Sequence, residues 1–367
     1  MRTRRTMAAV AGAGLLTLVV TACGAGSSDA DGSGGNTGTG SGKGTSKPTA
    51  LSVDSTVRKA TWTDQSTTHQ LTLAPKRLAR GTAADLEHVR LDEDLKGMIP
   101  YYLTITYTNT GSAALAQPDP ETNFTVTLAD GTPGRAISLW NTNPLATASS
   151  SSLPDNCDKA GPASVAPSAT VTVCRLVLLP EKHTPATVAY ADETETLLWK
   201  IGNGKGDDNG GQLLAAGATA DSSYQDVTTK GDAVPIRVTP KTVRPGSLKD
   251  LSDYDLSDTQ KNLVPWYVTF EYRNVGKEKL LPVMDDGVGL RTASGREVEP
   301  VPLIDFSRTG EGQGIDQCRG GVPNTRLEPN SALSLCTVHL LPKGDRPAMV
   351  SFQGEGKDAE RLMWRAS

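Results

Sequence analysis

The chain writes one pattern twice, and any fold it adopts has to accommodate that. Shifted by 165 residues, Pro75 falls on Pro240, and the match runs without a gap to Gly111 on Gly276. Thirteen of these 37 positions are identical: Pro75, Lys76, Gly81, Asp85, Leu86, Leu91, Lys96, Pro100, Tyr102, Thr104, Tyr107, Asn109 and Gly111. Beyond it, small insertions shift the offset. Cys157 meets Cys318, Cys174 meets Cys336, and Leu198-Trp199 meets Met363-Trp364. A match this long and this ordered is an internal duplication, so the fold is two copies of one unit.

The centre of each unit is an alternating run. Leu103, Ile105 and Tyr107 share one side, with Tyr102, Thr104, Thr106 and Thr108 on the other; in the second copy Val268, Phe270 and Tyr272 take the inner positions. Period two is the mark of a half-buried strand. Asn-x-Gly ends both runs, because Asn and Gly tolerate a tight turn. Further short strands follow. The first copy offers Gln70–Leu73, Phe124–Leu128, Ala136–Trp140, Thr170–Leu178, Thr187–Tyr190 and Thr196–Trp199. The second offers Pro235–Thr239, Val288–Arg291, Arg296–Val298, Ala332–Leu340, Met349–Phe352 and Arg361–Trp364. About seven short strands per copy, with no sustained helix, predict an all-β chain of two tandem antiparallel β-sandwiches. The repeats span 51–202 and 229–367, joined by a Gly-rich linker over 203–228 that leaves the two domains free to reorient. Trp199 and Trp364 are expected in the cores, on terminal strands.

Residues 1–22 read as a signal peptide: Arg2, Arg4 and Arg5 precede an apolar stretch, Met7 to Val20, too short to span as a mature helix. Val20-Thr21-Ala22-Cys23 resembles the lipobox of bacterial lipoproteins. That resemblance implies cleavage before Cys23 and attachment of a lipid, with palmitate-type acyl chains, to its thiol. The general secretory route is favoured over twin-arginine export, because Thr3-Arg4-Arg5-Thr6-Met7 lacks the usual continuation. Residues 23–50 are Gly, Ser, Thr and Asp with almost no apolar side chain, which predicts a disordered tether.

Charge and cysteines narrow the function. Without residues 1–22 the chain has 34 basic and 41 acidic side chains, a net charge of −7, which excludes nucleic acid as an expected partner. The two repeats differ: 51–202 carry a net charge of −4, whereas 229–367 are neutral. They share a plan but not a surface. With Cys23 assigned to lipid, two cysteines fall in each repeat, which predicts the disulfides Cys157–Cys174 and Cys318–Cys336 in an exported protein. Each would close a loop worth roughly 3 kcal/mol in the chain-entropy model. Cys174 and Cys336 are expected to point inward with Leu176, Leu178, Val338 and Leu340. No Cys or His spacing suits zinc, and no metal or cofactor is expected.

Residues 101–111 and 266–276, with their alternation ending in Asn-x-Gly behind a lipobox and a Gly/Ser tether, resemble the Ig-like domains of Gram-positive surface lipoproteins. The resemblance implies an Ig-like sandwich, an extracytoplasmic location and no catalytic residues.

The search for chemistry agrees. His69, His88, His183 and His339 are expected as scattered surface histidines, His339 on the outer face of its strand. No Gly-x-Ser-x-Gly, His-Glu-x-x-His, Ser-x-x-Lys or phosphate-binding loop occurs. For binding, the candidates are Trp140, Asn141, Phe306 and Arg308, in matching loops, together with Tyr102, Trp266 and Tyr267 at the starts of the central strands. Exposed aromatics beside Asn and Arg suit a protein or glycan ligand. The expected function is a membrane-anchored, non-catalytic binding module. The alternative is a structural spacer of the envelope; an enzyme built from acidic residues at the domain interface ranks last. Asp250, Asp253, Asp255 and Asp258, and Asp92, Glu93 and Asp94 in the first copy, could offer oxygens to calcium, but their spacing is not an EF-hand's, and a solvated loop is preferred. Millimolar Ca²⁺ and EGTA should therefore leave the melting temperature unchanged; a clear rise with Ca²⁺ would reverse that preference.

Overall fold

The computed structural model describes residues 48–366, apart from 65, 87–88, 90, 138–156, 158–160, 207–212, 227–228, 230–231, 304–313, 322–324 and 357–358. The described residues form mainly antiparallel sheets and short 3-10 turns, with no α-helix among them. In repeat 1, strands Thr67–Arg80, Met98–Asn109 and Thr170–Pro180 make the middle of a larger sheet. Phe124–Thr127, Thr187–Ala191 and Thr196–Lys200 make a smaller one facing it. Repeat 2 repeats the plan. Val234–Pro245, Val264–Asn274 and Ala332–Leu341 form its first sheet, and Val288–Thr292, Pro347–Gln353 and Arg361–Arg365 the core of its second. The chain is thus two antiparallel β-sandwiches in tandem.

The shared residues account for the shared geometry. Pro75 and Pro240 each sit where the strand register shifts by one residue, so Lys76 and Lys241 bulge out of the ladder. Proline cannot donate to a ladder, and a bulge is where a strand tolerates it. Asn109 and Asn274 are fully buried at the strand ends. The Asn109 amide donates to Ala113 O at 2.8 Å and Val165 O at 3.1 Å, and its oxygen accepts from Gly111 N at 3.0 Å. Asn274 makes the same three bonds, to Glu278 O at 2.7 Å, to Leu327 O at 3.1 Å and from Gly276 N at 2.9 Å. Asn-x-Gly is therefore more than turn propensity: the buried amide ties the strand end to the carbonyls of two neighbouring loops.

Each sandwich interior is filled by the inner positions of both sheets. Phe124 packs on Tyr190 and Trp199, with centroids 5.1 and 5.7 Å apart; Phe270 packs edge-on to Trp364 at 5.5 Å. Both tryptophans are buried, as the sequence predicts, and each Nε1 donates at 2.7 Å to a carbonyl, of Thr56 and of Ala218. Burying a side chain of this size contributes roughly 1.5–3 kcal/mol, provided its polar atom is satisfied.

The outer face of the sheet that carries the central strand is buried as well. In repeat 1 the connection over 81–97 folds back and lays Leu86 and Leu95 against Tyr102, Leu176 and Leu178. In repeat 2, Leu251 and Leu256 lie against Tyr267, Val338 and Leu340. Cys174 and Cys336 face these smaller clusters, not the sandwich interior. The expectation that they point inward is corrected accordingly: alternation separates two faces of a strand but does not say which one a covering loop will seal.

The stretch read as a linker also differs. Leu213–Leu214 pairs in parallel with Met363–Trp364, and Ala220–Tyr224 pairs antiparallel with Val234–Val238. These pieces complete repeat 2. Thr49–Leu51, at the edge of the expected tether, pairs with Leu78–Arg80. The two repeats are joined by hydrogen bonds and belong to one compact unit.

Replacing Asn274 by Ala removes three hydrogen bonds of a buried amide, at a net cost of about 0.5–1.5 kcal/mol each. Urea unfolding should show a lower midpoint with an unchanged slope, and Asn109→Ala should behave alike; an unshifted midpoint would mean that water replaces the amide.

Candidate functional site

Of the residues singled out for binding, Trp140, Asn141, Phe306 and Arg308 lie outside the described residues, as does Cys23. The disulfides Cys157–Cys174 and Cys318–Cys336 are formed. Such bonds fit an oxidising, extracytoplasmic compartment. No helix among the described residues is long and apolar enough to cross a membrane.

The strand-start aromatics are not a binding surface. Tyr102 and Tyr267 are buried and Trp266 is half-buried. Tyr102 donates to Asp85 Oδ2 at 2.9 Å, and Tyr267 to Asp250 Oδ2 at 2.7 Å. Asp85 also accepts from Thr82 N, and Asp250 from Ser247 N, at 3.0 and 3.2 Å. Each carboxylate thus ties the start of the covering connection to the sheet beneath it. Gly81 and Gly246 make this possible, since a Cβ at Gly246 would stand 2.2 Å from Tyr267 Cζ and one at Gly81 2.6 Å from Tyr102 Cε2. The identities Gly81, Asp85 and Tyr102 are therefore one device, and the acid counted as a possible calcium ligand is already engaged. Asp94 pairs with Arg135, Glu93 with Lys96 and Asp258 with Lys261. Among the described residues no group of three side chains could hold a metal.

His339 is fully buried, not on the outer face. Its Nδ1 lies 3.0 Å from Val298 O and its Nε2 2.9 Å from Thr337 Oγ1. A carbonyl only accepts, so Nδ1 carries the proton and Nε2 accepts from the threonine. Burial pushes the ring's pKa down to about 4, opposed by the bond to Val298. The ring is a core group, and the equivalent residue of repeat 1 is Val177.

Two features that sequence patterning does not reveal remain. The first is the junction of the repeats. Thr127 Oγ1 donates to Ala293 O at 2.8 Å, and Arg291 Nη1 to Thr132 Oγ1 at 2.8 Å. Thr196 N donates to Lys343 O at 2.8 Å, Lys343 N to Thr194 O at 2.9 Å, and Arg296 to Asp192 O. Gly131, at φ +78°, sits so close to Thr292 O that a Cβ would come within 2.1 Å of it. Beside these contacts lies a cleft of about 540 Å³, walled by Leu128, Ala129 and Thr187 of repeat 1 and by Ala293, Pro347 and Ala348 of repeat 2. Lys205, Arg346 and Arg365 stand at it, and no acidic side chain does among the described residues.

The second is a duplicated half-buried carboxylate. Glu121 and Asp285 each occupy the second position of a 3-10 turn, Pro120–Asn123 and Met284–Gly287, leading into the strands Phe124–Thr127 and Val288–Thr292. Burial raises the pKa of both, that of Asp285 to about 6, with Asp286 adding to it and the Gly321 N–H opposing it.

Comparison with known proteins adds little. No family model matches the chain, and no curated protein matches it. Among solved structures, the secreted protein MPT63 from Mycobacterium tuberculosis is similar over 43% of this chain and 99% of that one, at 13% identity and a TM-score of 0.28.

His339 and Asp285 titrate in overlapping windows with opposite signs. As pH falls from 6.5 toward 4, the unfolded chain protonates its histidine first, so His339 removes up to roughly 3 kcal/mol of stability. As pH falls from about 6 to 3.8, the folded chain protonates Asp285 first, which adds a similar amount. Urea midpoints at pH 7 and pH 4.5 should show it: relative to the parent, His339→Val gains stability on acidification and Asp285→Asn loses it. Parallel pH dependences would refute both assignments.

Proposed function

We propose that the chain is a lipid-anchored extracytoplasmic protein whose two Ig-like β-sandwiches form one non-catalytic binding module. The lipobox-like Val20-Thr21-Ala22-Cys23 supports the anchor, with the lipid on Cys23 holding the chain to the membrane. The observation that carries the binding reading is the cleft at the junction of the repeats. Both repeats wall it, neither could form it alone, and Ala293 in its wall accepts a hydrogen bond from Thr127 of the other repeat. A cleft between domains is a preferred place for a ligand. The three cationic side chains there suit a partner carrying negative charge, of the protein or glycan class. The spacer reading asks nothing of such a cleft.

Two measurements test this. Cys23→Ser should move the protein from the membrane fraction to the medium; retention at the membrane would end the lipid-anchor reading. A photo-crosslinking residue at position 205, in the full chain on intact cells, should give a reproducible adduct that the same probe at exposed position 59 does not. Identical adducts, or none, from both positions would favour the spacer.

A further inference from the structure

The two repeats differ at one position where the shared plan leaves a choice. The residue after the core-strand cysteine is Arg175 in repeat 1 and Thr337 in repeat 2. Both stand against the duplicated carboxylate turn. Arg175 is cross-strand from Leu103 and reaches in between the sheets, where its Nη1 donates to the main-chain oxygen of Glu121. Glu121 and Arg175 are each half-buried and each acts electrostatically on the other. Repeat 1 therefore supplies its own cation to its own carboxylate turn.

Repeat 2 does not. The Thr337 hydroxyl turns to His339 Nε2 at 2.9 Å and does not extend toward the turn. Beside Thr337 and the turn there is a cavity of about 180 Å³, lined by Asp285, Asp286, Val301, Leu303, Cys336 and Thr337. That is the liquid volume of about six waters. No ion pair to Asp285 is formed among the described residues. The apolar walls and the disulfide suit the stem of a long side chain, and the carboxylate at the turn suits its head. A planar guanidinium matches such a site better than a compact ammonium, because it is more weakly hydrated and donates from a fixed fork.

We propose that this cavity of repeat 2 receives an arginine side chain from a partner protein, which takes from outside the place that Arg175 takes within repeat 1. The inference goes beyond the junction cleft: it concerns a different site and the opposite charge, and either can fail without the other. It rests on the cavity and on the repeat-to-repeat comparison, not on the acidic residues alone.

The experiment is titration of the full chain in detergent with N-acetyl-argininamide, followed by calorimetry. The expected result is saturable binding that falls at least tenfold in Asp285→Asn, disappears in Thr337→Arg and is unchanged in Glu121→Gln. Thr337→Arg fills the cavity from within, so its melting temperature is a second readout and should equal or exceed that of the parent. Absence of saturable binding, binding that survives Thr337→Arg, or a Thr337→Arg variant that melts lower or fails to fold would each overturn the proposal.

Discussion

The hydrogen bond from Tyr102 to Asp85, with its duplicate from Tyr267 to Asp250, decides what the rest of each repeat can be. A sheet with one face in a sandwich normally leaves the other to water. Here a connection lays apolar side chains on that face, and its first turn is tied to the central strand. Everything layered on it follows: Leu86 and Leu95 find apolar partners, the disulfide lies under cover, and the strand bearing Arg175 or Thr337 is held on both sides. Strain-free approach of the tyrosine ring demands glycine, and an acid is needed to accept from both a phenol and a main-chain N–H. Three of the thirteen identities are thereby explained by one contact.

The strands were legible because alternation is a local property. Leu103, Ile105 and Tyr107 announce a buried face without help from the rest of the chain. Pairing of the cysteines was legible because the duplication halves the problem. What could not be read depends on distant partners. Tyr102 and Tyr267 look like exposed aromatics until a loop is known to cover them. His339 occupies an inward position, but polar residues at alternating positions are usually assigned outward, and only its two hydrogen bonds show otherwise. Arg58–Asp64 and Ala220–Tyr224 each bring one large core side chain, Trp62 and Tyr224, among small, polar and charged residues, and they pair along the edge of a neighbouring strand. Neither the junction cleft nor the cavity of repeat 2 is encoded in any motif. Both arise from elements far apart in sequence.

Divergence of the two copies is concentrated where geometry is free to vary. Positions that hold the scaffold, such as Asn109 and Asn274, repeat down to individual hydrogen bonds. Positions beside the carboxylate turn do not: arginine in one copy, threonine in the other; valine in one, histidine in the other. A duplicated scaffold keeps its internal satisfactions and spends its freedom on what it presents inside and between the sandwiches.

The junction itself has a further consequence. The turn at Leu128–Thr132 of repeat 1 and the turn at Thr292–Arg296 of repeat 2 are equivalent in the duplication, and they meet each other: a Cβ at Gly131 would strike Thr292 O, and one at Gly295 would stand 3.1 Å from Gly131 O. A patch that binds its own copy is what a symmetric homodimer uses. Carrying both copies in one chain makes their pairing intramolecular, so its effective concentration does not depend on how much protein the cell makes. Once the pairing no longer relied on identical partners, each half could change without dissolving the pair.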